Sequence, residues 1–90
     1  MAKVQIPGVV SSKLDISAEI VISATTIDQM LLELFELHPE ARDLICDENG
    51  RLRRFVNIFV DGDDIRFLEG LETKLNEKSE ITMISAVAGG

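Results

Sequence analysis

The last five residues, Ala86-Val87-Ala88-Gly89-Gly90, contain no ionisable side chain, so the one group among them that can do chemistry is the terminal carboxylate of Gly90. An α-carboxylate with a pKa of about 3.5 is ionised at neutral pH and is a poor electrophile until one oxygen becomes a good leaving group. Side chains shrink towards the end of the segment, and two glycines without Cβ atoms let the backbone pass close to an enclosing wall. Fully extended, the five residues reach roughly 17 Å at about 3.4 Å each, enough to enter a narrow cleft in another protein. A frayed end is the plain alternative for a terminal glycine pair. A small folded domain directly before it favours a working tail.

The other residues with chemical potential have simpler explanations. Cys46, the single cysteine, sits in Leu44-Ile45-Cys46, where a buried apolar thiol is commoner than a reactive one. His38 precedes Pro39 at an expected helix end, with no second histidine and no nucleophile placed beside it by local spacing. Asp61, Asp63 and Asp64 surround Gly62 but lack the spacing and closing glutamate of a calcium loop, so they read as a solvated turn and no metal site is expected. Arg51, Arg53 and Arg54 form the one basic cluster; they suit a carboxylate or phosphate on a partner, with a solvent-facing turn flank as the blander reading. No general base, nucleophile and orienting group come together, which makes an enzyme the least favoured class.

Ninety residues support one core rather than two. Sixteen acidic against nine basic side chains give a net charge of −7, which repels phosphate backbones and anionic headgroups, so neither nucleic acid nor a membrane is expected as partner. The opening MAKVQIPGVV is too short and broken for a signal peptide, no apolar run approaches spanning length, and one cysteine suits a reducing compartment. Together these point to a cytoplasmic protein.

The elements that must position the tail follow from periodicity. Lys3 to Ile6 alternates polar and apolar and stops at Pro7-Gly8, as a half-buried strand does. After a loop containing Ser11 and Ser12, Ser17 to Ser23 is rich in β-branched residues and predicts a second strand paired with the first. Thr26 and Gln29 form a capping box, after which Ile27, Met30, Leu31, Leu34 and Phe35 share one helical stripe that ends near His38-Pro39. Glu40 to Cys46 reads as a short helical turn and Asp47 to Gly50 as a turn. Phe55 to Val60 predicts a third strand, Asp61-Gly62 a tight turn, and Asp64 to Phe67 a short fourth. Leu68 to Asn76 reads as a single turn or short helix, and Glu80 to Val87 as the last strand.

This order is that of an α+β β-grasp roll, a mixed sheet with one main helix on one face and the first and last strands side by side. The expected division is a domain over 1–85 and a tail over 86–90. Within the third strand, alternation sends Val56, Ile58 and Val60 towards the helix and Phe55, Asn57 and Phe59 to the open face. Phe55 and Phe59, with Arg54 beside them, are therefore candidate partner anchors, because exposed aromatics are unusual away from binding sites; burial in the core is the competing reading for each phenylalanine.

The tail AVAGG, the run RFVNIFVDGDDIRF from Arg54 to Phe67 and the capped helix after Thr26 resemble the MoaD/ThiS group of ubiquitin-like sulfur carrier proteins, and within it the carriers that feed cysteine biosynthesis. Two departures from that pattern stand out: Lys78-Ser79 where many relatives have Gly-Asp, and Ser85 where they have proline. The resemblance implies that an E1-like enzyme adenylates the Gly90 carboxylate with ATP, that a sulfur donor converts it to a thiocarboxylate, and that residues 86–90 carry it to a sulfur-accepting synthase. It implies no bound cofactor, and leaves open whether the sulfur enters cysteine, a pterin cofactor such as molybdopterin, thiamine or a tRNA base. Two alternatives stand beside it: a ubiquitin-like modifier that joins Gly90 to lysines, and a non-catalytic β-grasp subunit with an inert terminus.

Overall fold

The computed structural model describes residues 1–85; the expected tail, 86–90, lies outside the described residues. The first strand, β1 (Ala2–Gln5), buries Ala2 and Val4 and exposes Lys3 and Gln5, as its alternation requires. The segment expected as a loop is instead a helix, α1 (Gly8–Leu14). Pro7 presets the entry with φ −55°, and its carbonyl accepts from the Val10 and Ser11 amides. Asp15, left-handed at φ 55°, closes the other end, where its amide and that of Ile16 bond Ser12 and Ser11 carbonyls. Only Val10 of α1 is buried, so no apolar period marks the helix in the sequence.

The second strand is shorter than expected, β2 (Glu19–Ile22), and pairs antiparallel with β1 from Ala2↔Ile22 to Gln5↔Glu19. The main helix, α2 (Ile27–Leu37), buries Ile27, Met30, Leu31 and Leu34. Its cap differs in detail from the expected box. Thr26 Oγ1 accepts the Gln29 amide at 3.1 Å, but Gln29 Oε1 accepts from the amide and hydroxyl of Thr25, at 3.2 and 2.7 Å, one residue earlier than the box requires. A short α3 (Ala41–Ile45) follows, then a turn in which Asp47 Oδ1 accepts from Asn49 and Arg51 amides.

The third strand, β3 (Val56–Val60), reverses at Asp61 (φ 51°) and Gly62 (φ 91°), the two left-handed residues that match the twist of a two-residue hairpin. The fourth, β4, is only Asp63–Asp64 and not the run to Phe67 that the sequence suggested. Asp64 Oδ1 accepts the Arg66 amide at 2.8 Å and caps a 3-10 turn, Ile65–Phe67, which ends the strand. The following segment holds a second 3-10 turn, Gly70–Glu72, and is strapped to the start of α2 by Ile27 N–H to the Thr73 carbonyl and Leu75 N–H to the Thr25 carbonyl. The last strand, β5, is Glu80–Ser85; the further residues expected in it, 86 and 87, are outside the described residues. Ser79, one of the two departures from the family pattern, is buried and accepts the Asn76 amide on its hydroxyl, completing a turn before β5.

The sheet order is β2-β1-β5-β3-β4, with β1 and β5 parallel and the other pairs antiparallel. One face of this sheet joins α2 in a single core that includes Val4, Ile22, Ile58, Ile81, Met83 and the α2 stripe. Burying each such side chain contributes about 1.5–3 kcal/mol. This is the mixed five-stranded roll expected of a β-grasp domain.

Candidate functional site

β5 is the central strand, held by β1 on one side and β3 on the other. Ile81 and Met83 are buried, and Thr82 and Ile84 face out. The residue before the expected tail, Ser85, sits opposite Val56 and lines a cleft of about 310 Å³ with Val9, Lys13, Leu44, Arg53 and Phe55. A central strand anchored on both edges gives whatever follows Ser85 a rigid origin. The candidate tail residues Ala86, Val87, Ala88, Gly89 and Gly90 themselves are outside the described residues.

The open face of the sheet can be traced across its ladders. Glu19, Gln5, Thr82 and Phe59 form one row over β2, β1, β5 and β3, tied at one end by Gln5 Nε2 donating to Glu19 Oε1 at 3.2 Å. Ile84, 45% exposed, lies diagonal to Phe59 on the neighbouring strand, within reach of an aromatic ring. The alternation of β3 is as expected: Val56, Ile58 and Val60 are buried, and Asn57 and Phe59 half-buried.

The two phenylalanines separate. Phe55 lies just before β3, outside its pleat, and packs against the core beside the Ser85 cleft. Phe59 belongs to the open face. Arg54 is exposed in the turn that precedes the same strand. Other apolar groups on the surface went unnoticed in the sequence: Phe67, 85% exposed on the 3-10 turn after β4, Val21 and Ile84. Phe67 reads as a strand residue by type, and its exposure follows from the strand ending early.

The remaining chemical candidates are accounted for structurally. Cys46 is buried, and burial pushes its thiol above the ordinary range, which keeps it protonated and unreactive. His38 caps the end of α2, its amide bonding the Leu34 carbonyl. Asp61 Oδ1 accepts the Glu80 amide at 3.0 Å and so ties the hairpin turn to β5. Asp64 is paired with Arg66 at 2.7 Å, and these side-chain and backbone hydrogen bonds hold its carboxyl below the usual range. Among the described residues, no three His, Cys, Asp or Glu side chains group to hold a metal, and no helix is long and apolar enough to cross a membrane.

Comparison with known proteins agrees with this arrangement. The ThiS family profile matches residues 4–90. A protein of Archaeoglobus fulgidus, described as a candidate sulfur carrier protein, is 33% identical over 89 residues that cover 98% of this chain and 97% of its own. Among solved structures, a chain of the Amycolatopsis orientalis BexX/CysO complex superposes with a TM-score of 0.86 at 26% identity, covering all of both chains. The small archaeal modifier protein 1 of Methanosarcina acetivorans does so with a TM-score of 0.85 at 28% identity, covering 99% of this chain and 95% of its own. These relatives are named as carriers and a modifier rather than as catalysts. A β-grasp domain whose central last strand leads towards a diglycine, matched by the profile through its final residue, belongs to the ThiS family of ubiquitin-like sulfur carriers.

Proposed function

We propose that this protein carries sulfur as a thiocarboxylate on Gly90. An E1-like enzyme adenylates the carboxylate with ATP, which turns one oxygen into part of a leaving group. Sulfur delivered at the sulfide level then attacks the acyl carbon and expels AMP, and a synthase passes that sulfur to its substrate while water restores the carboxylate. The domain binds no cofactor of its own; ATP is consumed by the activating enzyme, and the setting is cytoplasmic. Residues 86–90 enter the partner's active site while 1–85 serve as the handle. Phe59 and Ile84 on the open face, with Phe55 at the Ser85 cleft and the exposed Arg54 before β3, contact the partner. The observation that carries this reading is that the family match runs through Gly90, five residues beyond the end of β5 at Ser85. Five residues alone offer little contact area against the cost of ordering them on docking, so a surface patch on the domain supports affinity for each successive enzyme.

The similarity to a small archaeal modifier supports a second use of the same activated terminus, an isopeptide bond to lysine. Intact mass after incubation with the activating enzyme, ATP and a sulfur donor tests the carrier reading. A gain equal to replacing one oxygen by sulfur, localised to Gly90 and lost when one residue is added after it, is the expected result. An unchanged mass, with the enzyme active on another carrier, overturns it in favour of an inert terminus. Diglycine remnants on lysines of other proteins would add the modifier role.

A further inference from the structure

β3 is paired along only part of its outer edge. β5 covers its inner edge from Val56 to Val60, whereas β4 pairs only Phe59 and Val60 before Asp64 turns the chain into the 3-10 turn. Among the described residues, no strand pairs the outer edge of Val56–Ile58; the Val56 amide donates to the Arg53 carbonyl at 2.9 Å and Asn57 faces β5, so the open groups of this edge centre on Ile58. Beside it runs a cleft of about 290 Å³ whose wall includes Val56, Ile58 and Leu71, with Arg53, Arg54 and Arg66 around it.

These are three of the five arginines in a chain of net charge −7, and Asp64 is the one acidic residue lining the cleft. They are not equivalent. Arg66 is clamped by Asp64, Nη2 to Oδ2 at 2.7 Å, although its side chain stays 71% exposed. Arg53 donates Nε to the Asp43 carbonyl at 2.9 Å. Arg54 is exposed, and among the described residues no carboxylate lies within ion-pair distance of it. The two bonded arginines are therefore held in place around the cleft, and the third is available to an incoming anion.

An unpaired strand edge is a template for another strand, with main-chain hydrogen bonds supplying affinity and alternate side chains supplying selectivity. Guanidinium groups beside such an edge select carboxylates through their paired donors. We propose that this cleft receives an extended acidic segment of a partner protein, which adds as a strand to Val56–Ile58 and sets a carboxylate against Arg54. A free phosphate would use neither the apolar wall nor the backbone edge. A second copy of this chain is a poorer occupant: antiparallel pairing of two β3 edges would bring the arginines beside each edge together, and like charges in register repel. Arg54 is also a contact in the proposed function, so the test below uses no activating enzyme, ATP or sulfur donor and reads the cleft apart from the sulfur chemistry.

The test is a titration of the isotope-labelled full chain with a short capped peptide of alternating glutamate and valine, followed by amide NMR. Saturable shifts across Val56, Asn57 and Ile58, slower solvent exchange of the Ile58 amide, and no binding of the matching lysine-valine peptide are expected. Arg54→Glu, at an exposed position that leaves the fold intact, should weaken binding about tenfold, the factor of one charge-assisted contact. Raising salt to about 1 M, where screening acts within about 3 Å, should also weaken it. Absence of saturable shifts at these amides at millimolar peptide, equal binding of the lysine peptide, or an Arg54→Glu variant that binds as well as the parent would each overturn the proposal.

Discussion

Phe55→Ala and Phe59→Ala should part company, because the two rings sit in different places despite their alternating spacing. Truncating a fully buried phenylalanine costs about 3–5 kcal/mol. Phe55 is half-buried but packed on the core, so roughly half of that, about 2 kcal/mol, should be lost. For a domain of this length each kcal/mol moves Tm by about 4–8 °C, so a fall of roughly 8–16 °C is expected. Phe59 is also half-buried but lies on the open face, where truncation removes contact with Thr82 and Ile84 and leaves no internal cavity. A loss under about 1 kcal/mol is expected there. If Phe59 anchors the activating enzyme, its removal should cost about 2 kcal/mol of binding, close to thirtyfold in Kd. Calorimetric unfolding of both variants, with titration of the enzyme into each, separates the effects. A Phe59→Ala variant that melts far below the parent and binds the enzyme as well as the parent does would refute the division of roles.

Gly62→Ala should destabilise the domain by about 1–2 kcal/mol, measured by denaturant midpoint, because a Cβ there meets no atom within 4 Å and only the left-handed backbone at φ 91° is penalised. Asp64→Asn keeps the amide acceptor of the 3-10 turn but removes the charge that faces Arg66. Since the folded carboxyl titrates below its unfolded value, its contribution is complete above about pH 4 and fades as pH falls through the lower folded pKa. The variant should therefore be less stable than the parent at neutral pH and converge with it under acid, as read from parallel melts across pH. Cys46 should resist iodoacetamide in the native protein and react once it is unfolded, as followed by mass, because the thiol is buried and its pKa raised.

The elements legible in the sequence are those whose code is local. β1 and β3 alternate, α2 carries a polar cap and an apolar stripe at helical period, and Asp61-Gly62 supplies the two left-handed residues of a hairpin. Their order was enough to indicate the roll, and the composition of the last five residues singled out Gly90 without reference to any contact. Where burial depends on partners distant in sequence, the pattern was silent. The helix α1 has one buried residue, Val10, and exists because Pro7 and Asp15 close its ends and the core receives that one side chain. The strand after Gly62 stops at Asp64 through a side-chain cap, a competition between turn and ladder that residue type alone does not decide. The same stop exposes Phe67, leaves the outer edge of Val56–Ile58 uncovered, and brings Arg66 beside the cleft shared with Arg53 and Arg54. The sequence by itself thus determined the domain class and singled out the candidate terminus, since these rest on periodicity and on covalent chemistry. Only the tertiary structure decided which surfaces remain free for partners, because exposure results from what the whole chain packs against each residue.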